Sequence, residues 1–476
     1  MTLSRGIRLL WTAVLMGLAA SSGISATFLV SKTADTWDGS CDSDCSLREA
    51  VIAANVLPGP DTITLPAGSY TLTIPGIDES GLTGDLDITE GLSILGAGSA
   101  GTIIDGGALD RVFHVHSDYL SVINLAGITI QNGNSVGDGG GIGNGFATLN
   151  LARCVLRNNF TFGGGGGLVS AAGTVTLSDS IVQDNISSGG GGISNGSGPL
   201  TITGSQILGN RTSVGAGGGI LNSAGELTII RTVVSGNFAG GSGGGIQSGG
   251  FPGNRPHTLR ESTLSNNMTS SAGGGLASLG AWAIENSTIS SNQANLGGGM
   301  HVLGGNANVL NSTWNLNSAI LAGGIHVSAG VVVLRSTIVA NSPSGGNCNG
   351  PIVSAGDNLS SDVTCAAWFT AASDRNSADP LLGPLAVNGG SLADQPLPAP
   401  THALLPGSPA IDAAGGCPPP ATDQRGVARP QGVACDIGSF EVESGTLPTG
   451  IPTLSVAAMV LLALALAAAG GWIARR

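Results

Sequence analysis

Residues 189–210 read GGGGISNGSGPLTITGSQILGN, and this pattern decides the fold. A run of glycines precedes an aliphatic residue, Ile193, and an apolar residue stands three positions before Asn210. Between the two lies a short alternating segment of β-branched and polar residues. The glycine-aliphatic pattern recurs at intervals of 24 to 30 residues, at Ile142, Leu168, Ile193, Ile220, Ile246, Leu276, Met300 and Ile325. The asparagine recurs in step, at Asn159, Asn185, Asn210, Asn237, Asn267, Asn292, Asn317 and Asn341.

This repeat predicts a solenoid of β-strands. Alternation over four to six residues, bounded by Gly, Asn and Ser, is typical of strands and turns. A unit of about 25 residues cannot bury its own apolar side, so it has to stack on its neighbours. We therefore predict an all-β fold, a right-handed parallel β-helix of about 25 residues per coil, with a short N-terminal capping helix and a C-terminal transmembrane helix.

The recurring asparagines have a structural explanation. Identical amides on stacked strands can hydrogen-bond in a ladder, and Asn tolerates the left-handed conformation of a tight bend. A sugar-binding ladder is the alternative for this row. A calcium-binding nonapeptide array is disfavoured, because it needs a period of nine and a recurring Asp, and only Asp138 occurs in the glycine runs.

Composition excludes several classes of protein. Of 476 residues 80 are Gly and 10% are charged, with a mean hydropathy of +0.29. The chain is too apolar for intrinsic disorder and too rich in Gly for a helical bundle. Its net charge is −13 and its one lysine is Lys32, so we expect no nucleic-acid partner.

Both ends carry targeting patterns. Arg5 and Arg8 precede an apolar run to Ala20 and small residues up to Ala26, which predicts a signal peptide over residues 1–26. An apolar stretch near the C-terminus, closed by arginines, predicts a membrane anchor over residues 451–476. We expect an exported protein of the cell envelope or surface, and whether its tail is cleaved is left open.

An exported chain with seven cysteines suggests disulfides. Spacing proposes three local pairs, namely Cys41 with Cys45, Cys348 with Cys365, and Cys417 with Cys435. Cys154 is left over in an apolar strand pattern, which favours a buried free thiol.

Four segments resemble known families. Residues 45–50 (CSLREA) and 61–70 (DTITLPAGSY) resemble the family named after the CSLREA motif, which shares the β-helix architecture. Within it, Ser46 to Ala54 reads as an amphipathic helix that plugs the open end of the solenoid. The paired glycine and asparagine patterns resemble the repeats of polymorphic outer-membrane proteins.

Residues 379–383 (DPLLG), 406–412 (PGSPAID) and 436–441 (DIGSFE) resemble the choice-of-anchor Q module, whose implied role is to end the helix before an anchor. In that module we expect Arg425 to make a structural ion pair with Asp423 or Asp436. The tail resembles an IPTL-type sorting signal, which implies a processing machinery as a partner and whose motif is Ile451, Pro452, Thr453 and Leu454.

These patterns divide the chain into six parts. They are a signal peptide (1–26), a CSLREA-type cap with the first coils (27–110), Gly-rich repeats (111–344), a choice-of-anchor Q-like module (345–443), a linker (444–450) and the anchor (451–476).

Candidates for chemistry are few. Asp85 and Asp87 alternate with Leu86 and Ile88 and so share one strand face, with Asp105 and Asp110 about one coil later. A solvated outer face explains these carboxylates as well as a catalytic or calcium site does.

His301 and His326 lie 25 residues apart and should stack on adjacent coils, but the sequence shows no third ligand for a metal. We therefore expect no catalytic residues, no bound metal and no cofactor. The predicted function is that of an envelope-anchored, adhesive or carbohydrate-binding surface protein without enzymatic activity, with an extracellular glycan or protein as ligand. The alternative is a polysaccharide-active enzyme, either a lyase or a glycoside hydrolase.

Overall fold

The computed structural model describes residues 25–443, apart from residue 118 and the segments 251–255, 392–397 and 418–419. The predicted signal sequence up to residue 24, the linker, the sorting motif and the transmembrane helix lie outside these residues. Among the described helices, none has the length and hydropathy needed to cross a bilayer.

The predicted β-helix is confirmed: the chain forms about ten right-handed coils of roughly 26 residues each. Equivalent strands of successive coils pair in parallel and form four long sheets, which we call sheets A, B, C and D.

Sheet A consists of β1 (Thr27–Leu29), β2 (Asp61–Leu65), β5 (Leu92–Gly96), β8 (Val122–Ala126), β12 (Thr148–Ala152), β16 (Val175–Ser178), β20 (Leu200–Thr203), β24 (Leu227–Ile230), β28 (His257–Arg260), β32 (Trp282–Glu285), β35 (Asn306–Leu310), β38 (Val331–Arg335) and β41 (Ile352–Ser354). Sheet B consists of β3 (Gly68–Thr71), β6 (Thr102–Asp105), β9 (Thr129–Gln131), β13 (Val155–Arg157), β17 (Ile181–Gln183), β21 (Gln206–Leu208), β25 (Val233–Ser235), β29 (Thr263–Ser265), β33 (Thr288–Ser290), β36 (Thr313–Asn315), β39 (Ile338–Ala340) and β42 (Leu359–Ser360).

Sheet C consists of β4 (Leu86–Ile88), β7 (Phe113–Val115), β11 (Ile142–Asn144), β15 (Leu168–Ser170), β19 (Ile193–Asn195), β23 (Ile220–Asn222), β27 (Ile246–Ser248), β31 (Leu276–Ser278), β34 (Met300–Val302), β37 (Ile325–Val327) and β40 (Cys348–Asn349). Sheet D is shorter and consists of β10 (Asn134–Ser135), β14 (Phe160–Thr161), β18 (Ile186–Ser187), β22 (Arg211–Thr212), β26 (Phe238–Ala239) and β30 (Met268–Thr269). A separate hairpin pairs β43 (Leu382–Ala386) with β44 (Thr401–Leu404) antiparallel.

The aliphatic residues after the glycine runs line one inner wall of the coil. Leu168, Ile193 and Ile220 are direct partners on β15, β19 and β23, and all three are fully buried. The row extends beyond the predicted repeats to Phe113, which pairs with Ile142, and to Leu86, which pairs with Phe113. The interior of the coils is therefore one continuous apolar column along the axis, and a second apolar cluster joins sheet B to the C-terminal residues.

The recurring asparagines form a buried ladder at the corner between sheets B and D. The side-chain amide of Asn185 donates to Asn210 Oδ1 at 2.9 Å, which also accepts the Asn185 backbone N–H at 3.1 Å. The same contacts link Asn159, Asn185, Asn210, Asn237, Asn267, Asn292 and Asn317. The left-handed conformation predicted for these asparagines belongs instead to the residue before each one, such as Asn158 or Asn266.

Asn341 does not belong to this ladder. Register pairs Asn315 with Ala340, so position 342 is the one that follows Asn317, and it is Ser342. Asn341 occupies the left-handed position before it, with φ 55°, and its amide donates to Asn315 Oδ1. The spacing of the paired strands is the same as in the coil before, with Thr288 paired to Thr313 and Thr313 to Ile338, so no residue is missing and Ser342 takes the ladder position.

A second row of polar side chains runs along the corner between sheets A and B. Each backbone N–H donates to the hydroxyl of the next coil, as from Ser180 to Ser205 at 3.1 Å and from Thr232 to Ser262 at 3.1 Å. Cys154 heads this row: its N–H donates to Ser180 Oγ, and its thiol lies 3.2 Å from the Leu125 carbonyl. The thiol is free and buried, and burial raises its pKa to about 11.

Helix α1 (Leu47–Asn55) closes the N-terminal end. Ser46 caps it, since its hydroxyl accepts the Glu49 N–H while the Glu49 carboxylate accepts the Ser46 N–H. Leu47, Ala50 and Val51 are buried in the core column, as predicted for this face.

The C-terminal residues only partly end the coil. Cys365 and Phe369 join the core column, but the segment from about residue 379 turns back along the outer face of sheet B. There Ser439 N donates to Thr313 Oγ1 at 3.0 Å, and Gln424 Nε2 donates to Thr263 Oγ1 at 3.0 Å. The module therefore covers the side of the solenoid as well as its end.

Two buried ion pairs lie inside that module. Arg425 pairs with Asp423 at 2.7 Å, and a second buried pair joins Arg429 to Glu441 at 3.0 Å.

All three predicted cysteine pairs form disulfide bonds, namely Cys41–Cys45, Cys348–Cys365 and Cys417–Cys435.

The Asn ladder predicts a large cost for removing one rung. Asn210→Ala removes the acceptor of the Asn185 N–H and amide and the donor to the Val182 carbonyl. Each unpaired buried group costs about 1–3 kcal/mol, so we expect a loss of about 3 kcal/mol, measured as a lower melting temperature. Asn308→Ala, at an exposed strand position, is the matched control and should melt like the unaltered protein. Equal melting of both variants would contradict the ladder's stabilising role.

Candidate functional site

Two carboxylates on the first strand of sheet C begin the candidate site. Leu86 and Ile88 point into the core, so Asp85 and Asp87 lie on the outer face. Strand register places Asp87 beside His114 on β7, and His114 in turn beside Gly143 on β11. An added Cβ at Gly143 would lie 2.9 Å from Arg111 Nη1, so this glycine leaves room for the arginine.

Although they are on the outer face, both aspartates are buried: Asp85 is 3% and Asp87 0% exposed. The segment between β3 and β4 covers them, and Gly81 packs directly on β4, where an added Cβ would lie 3.4 Å from Asp87 N. The same segment carries Glu79 to the edge of the site.

Helix α1 holds this segment and the strand in place. Arg48, fully buried, donates to the carbonyl oxygens of Gly81 at 2.7 Å, Gly84 at 2.9 Å and Asp85 at 3.2 Å. Asn55 donates to the Asp87 carbonyl at 2.7 Å. Arg48 therefore positions Asp85, and Asn55 positions Asp87, each through the backbone carbonyl of the aspartate.

Arg48 is itself fixed by an ion pair with Asp35. Its Nε lies 2.7 Å from Asp35 Oδ1, and both side chains are almost fully buried. Asp35 also accepts the backbone N–H groups of Thr73 and Ile74. The Asp35 carboxylate therefore joins Arg48 of helix α1 to Thr73 and Ile74, at the start of the covering segment.

The side chains of Glu79, Asp87, His114 and His116, called here the imidazole-carboxylate cluster, converge on one point. Asp87 Oδ1 lies 2.8 Å from His116 Nε2 and 3.6 Å from His114 Nδ1. Glu79 Oε2 lies 2.5 Å from His116 Nε2 and 3.6 Å from His114 Nδ1. One ligand atom from each of the four residues lies within 4.8 Å of the others, so the group is able to hold a metal ion.

Asp85 lies beside this cluster in a different environment. Arg111 Nε is 2.7 Å from Asp85 Oδ2, but without hydrogen-bond geometry. Burial, followed by the charge of Asp87, raises the pKa of Asp85 to about 8, although Arg111 acts in the opposite direction. The carboxyl is therefore protonated at neutral pH and is able to donate a proton, as a general acid does.

The later carboxylates serve different purposes. Asp110 stays near the site, where its Oδ1 accepts the Arg111 N–H at 2.7 Å and its charge adds to the raised pKa of Asp85. Asp105 belongs to sheet B, and its Oδ2 accepts hydrogen bonds from Gln131 at 2.7 Å and Asn132 at 2.8 Å. These amides come from the next coil, so Asp105 links two coils.

His301 and His326 stack as predicted by their spacing, with ring centroids 4.8 Å apart. Both contact Ser328 Oγ, at 2.7 Å and 3.2 Å. Within the described residues the only group of three or more His, Cys, Asp or Glu able to hold a metal is the imidazole-carboxylate cluster. Burial lowers the pKa of His301 to about 4, so this imidazole is neutral at physiological pH.

Sequence reasoning missed Glu79, Arg111, His114 and His116. The repeat was followed only from Ile142, because the first coils lack glycine runs. The spacing of the inner row would have found them. Phe113 stands 29 residues before Ile142 and Leu86 stands 27 before Phe113, so both residues continue the row. That register alone places His114 beside Asp87.

The sheet topology defines the class of the molecule, a right-handed parallel β-helix protein. No protein-family model matches the sequence, and no curated protein matches it. The CSLREA, anchor-module and sorting-signal resemblances therefore stay predictions.

Two solved structures share the fold. A crystal structure of the pectate lyase Pel9A is 14% identical, with a TM-score of 0.45, and the match covers 88% of this chain and 97% of that one. The A-module of the mannuronan C-5 epimerase AlgE4 from Azotobacter vinelandii is 15% identical, with a TM-score of 0.40, and covers 65% of this chain and 87% of that one. At this identity the likeness concerns the fold alone.

The sequence-based prediction that the chain is not an enzyme is contradicted. The two matched structures are of a lyase and an epimerase. That prediction also depended on the apparent lack of a catalytic constellation, whereas the first two coils bring together three carboxylates, two imidazoles and an arginine.

Breaking the Arg48 anchor should be strongly destabilising. Arg48→Met leaves the Asp35 carboxylate buried and unpaired, which costs about 3–5 kcal/mol. In chemical denaturation we expect the double variant Arg48→Met with Asp35→Asn to recover part of that loss. If the losses of the two single variants simply add in the double variant, the ion pair is not what fixes the segment.

The raised pKa of Asp85 predicts a pH dependence of stability. An unfolded Asp loses its proton near pH 4, whereas folded Asp85 holds it to about pH 8, so the free energy of unfolding falls as pH rises between these values. We expect a lower melting temperature at pH 9 than at pH 7, and a smaller drop for Asp85→Asn. An Asp85→Asn protein with the same drop as the unaltered protein would show that Asp85 is already ionised at pH 7.

Proposed function

We propose that this protein is a polysaccharide-active enzyme that cleaves a glycosidic bond by acid-base catalysis. The observation that carries the proposal is the pairing of Asp85, a buried carboxyl of raised pKa, with the imidazole-carboxylate cluster, whose Asp87 stands two residues further along the chain. A carboxyl that donates a proton beside groups that accept one is the arrangement that such catalysis requires.

Asp85 supplies the proton for the leaving glycosidic oxygen. Breaking a glycosidic bond, by hydrolysis or by elimination, needs an acid on this oxygen. Burial keeps Asp85 protonated until about pH 8, and Arg111 Nε at 2.7 Å stabilises the carboxylate that remains after the proton leaves.

The imidazole-carboxylate cluster takes up the other proton. In hydrolysis this proton comes from the attacking water, and in elimination it comes from the sugar carbon next to a carboxylate. His116 is half-exposed and in contact with the carboxylates of Asp87 and Glu79, so it faces solvent with hydrogen-bond acceptors behind it. This is the geometry of an oriented base.

A neighbouring groove supports a polymer substrate. It has a volume of about 460 Å³ and lies at the corner of sheets B and D. The chain segment 106–111 begins beside this groove and ends at Arg111 of the candidate site. Phe160 and Phe162 offer aromatic faces with centroids 4.9 Å apart, a surface on which the apolar side of a sugar ring packs. Its polar lining comes from Asp105, Asn132, Asn134 and Asn158.

The proposal includes export. The three disulfides fit an oxidising compartment outside the cytosol. Attachment to the envelope rests on the tail pattern alone and stays a prediction.

Purified protein should shorten at least one polysaccharide in a panel of neutral and acidic polymers. New reducing ends report cleavage, and ultraviolet absorbance of an unsaturated sugar separates elimination from hydrolysis. We expect Asp85→Asn and His116→Gln each to lose about a hundredfold in rate, the usual contribution of one acid-base group. His301→Gln, a buried histidine far along the rod, is the matched control and should keep full activity. Binding of a glycan with no cleavage of any, or equal loss in all three variants, would overturn the proposal.

A further inference from the structure

We propose that the imidazole-carboxylate cluster binds one divalent transition-metal ion of the zinc class, through Glu79, Asp87, His114 and His116. The proposal concerns binding and stands independently of glycan cleavage.

The distances suit a small ion. Metal bonds of about 2.0–2.2 Å in a tetrahedral site place the ligand atoms about 3.4 Å apart. His114 Nδ1 already lies 3.6 Å from both Asp87 Oδ1 and Glu79 Oε2. His116 Nε2 is closer to these oxygens, at 2.8 Å and 2.5 Å, so a small outward rotation of its ring completes the tetrahedron.

A buried polar atom points to a ligand as well. The Asp87 side chain is fully buried, and its Oδ2 has no hydrogen-bond partner. A buried carboxylate oxygen without a donor is costly, and native proteins pair such atoms with donors, water or a metal. A cation bound at the cluster through Oδ1 balances the charge of this buried carboxylate.

The donor set selects the kind of metal. Two imidazole nitrogens with two carboxylate oxygens favour zinc and its transition-metal neighbours, whereas calcium and magnesium prefer sites made of oxygen alone. Asp42, Asp44 and the other exposed acids of the N-terminal coils offer no such nitrogen donors.

The fold holds these ligands from three directions. Asp87 and His114 are register partners on β4 and β7, while His116 follows at the end of β7. Glu79 comes from the covering segment that Arg48 fixes through the Gly81 and Gly84 carbonyls. The exposed Glu79 side chain is the ligand able to move when an ion enters.

If the proposed function also holds, the ion has a direct chemical use. A metal of this class would lower the pKa of a bound water toward 7, and this water would then be the base in place of His116, whose metal-bound nitrogen cannot take up a proton. This consequence, unlike the binding itself, rests on the proposed function.

The test is titration of chelator-treated, untagged full-length protein with Zn²⁺ by calorimetry, with Co²⁺ absorption spectra as the second readout. We expect one ion per chain and Co²⁺ bands in the visible range. Asp87→Asn and His116→Gln should weaken Zn²⁺ binding by at least about tenfold, the smallest effect usual for residues around a metal. His326→Gln is the matched control and should bind like the unaltered protein.

Circular dichroism of each variant distinguishes a lost ligand from a lost fold, and Glu79→Gln, at an exposed side chain, gives a variant in which folding is not at risk. No saturable Zn²⁺ binding, binding of Ca²⁺ alone, or Zn²⁺ binding unchanged in all three ligand variants would overturn the metal site. Cleavage of a polysaccharide by metal-free protein leaves the proposed function standing without the metal. Zn²⁺ binding without cleavage of any polysaccharide supports the metal site and contradicts the proposed function.

Discussion

Parallel stacking of coils about 4.8 Å apart is the constraint on which the rest of the structure depends. Each position meets its own counterpart in the coils above and below, so a side chain has to be compatible with itself. Aliphatic residues meet this condition by packing, as Ile193 does on Leu168 and Ile220. A buried polar group meets it only if it both donates and accepts along the axis. The Asn amide does both, because its NH2 group donates and its oxygen accepts. In the row of hydroxyls, the donor along the axis is the backbone N–H, and the hydroxyl of the next coil accepts.

The same constraint determines how much could be predicted. Within the regular coils, the spacing of Ile142 to Ile325 gave the register, because any other register would break the inner row. Cys348–Cys365 and Cys417–Cys435 were predictable because the two cysteines of each pair are only 17 and 18 residues apart in the sequence. Asn341 was misplaced because it stands at the bend, one position before the ladder, and the recurrence of Asn alone does not distinguish these two adjacent positions.

The candidate site was only half predictable. Asp85 and Asp87 followed from alternation along one strand, whereas Glu79 lies in a covering segment with no repeat to reveal its position. The packing of the C-terminal module is hidden for a related reason: Gln424 and Thr263 are 161 residues apart, and Ser439 and Thr313 are 126 apart. Contacts at such separations depend on complementary surfaces, and these leave no period in the sequence.

Chemistry needs unlike side chains at one point, and a regular solenoid opposes this because each row favours like residues. In sheet C the outer row of the regular coils runs through Val169, Ser194 and Leu221, and where it does carry imidazoles these are alike, His301 beside His326. At the N-terminal end the regularity stops, and Asp87, His114 and Gly143 occupy successive places in that row. Helix α1 makes this irregularity tolerable: the helix that covers the open end of the core also holds, through Arg48 and Asn55, the strand that carries both aspartates. The cap and the site are thus one structural unit. A solenoid needs a cap at its end, and the repeat is interrupted there. This interruption allows unlike residues to occupy neighbouring positions of the row, as chemistry requires.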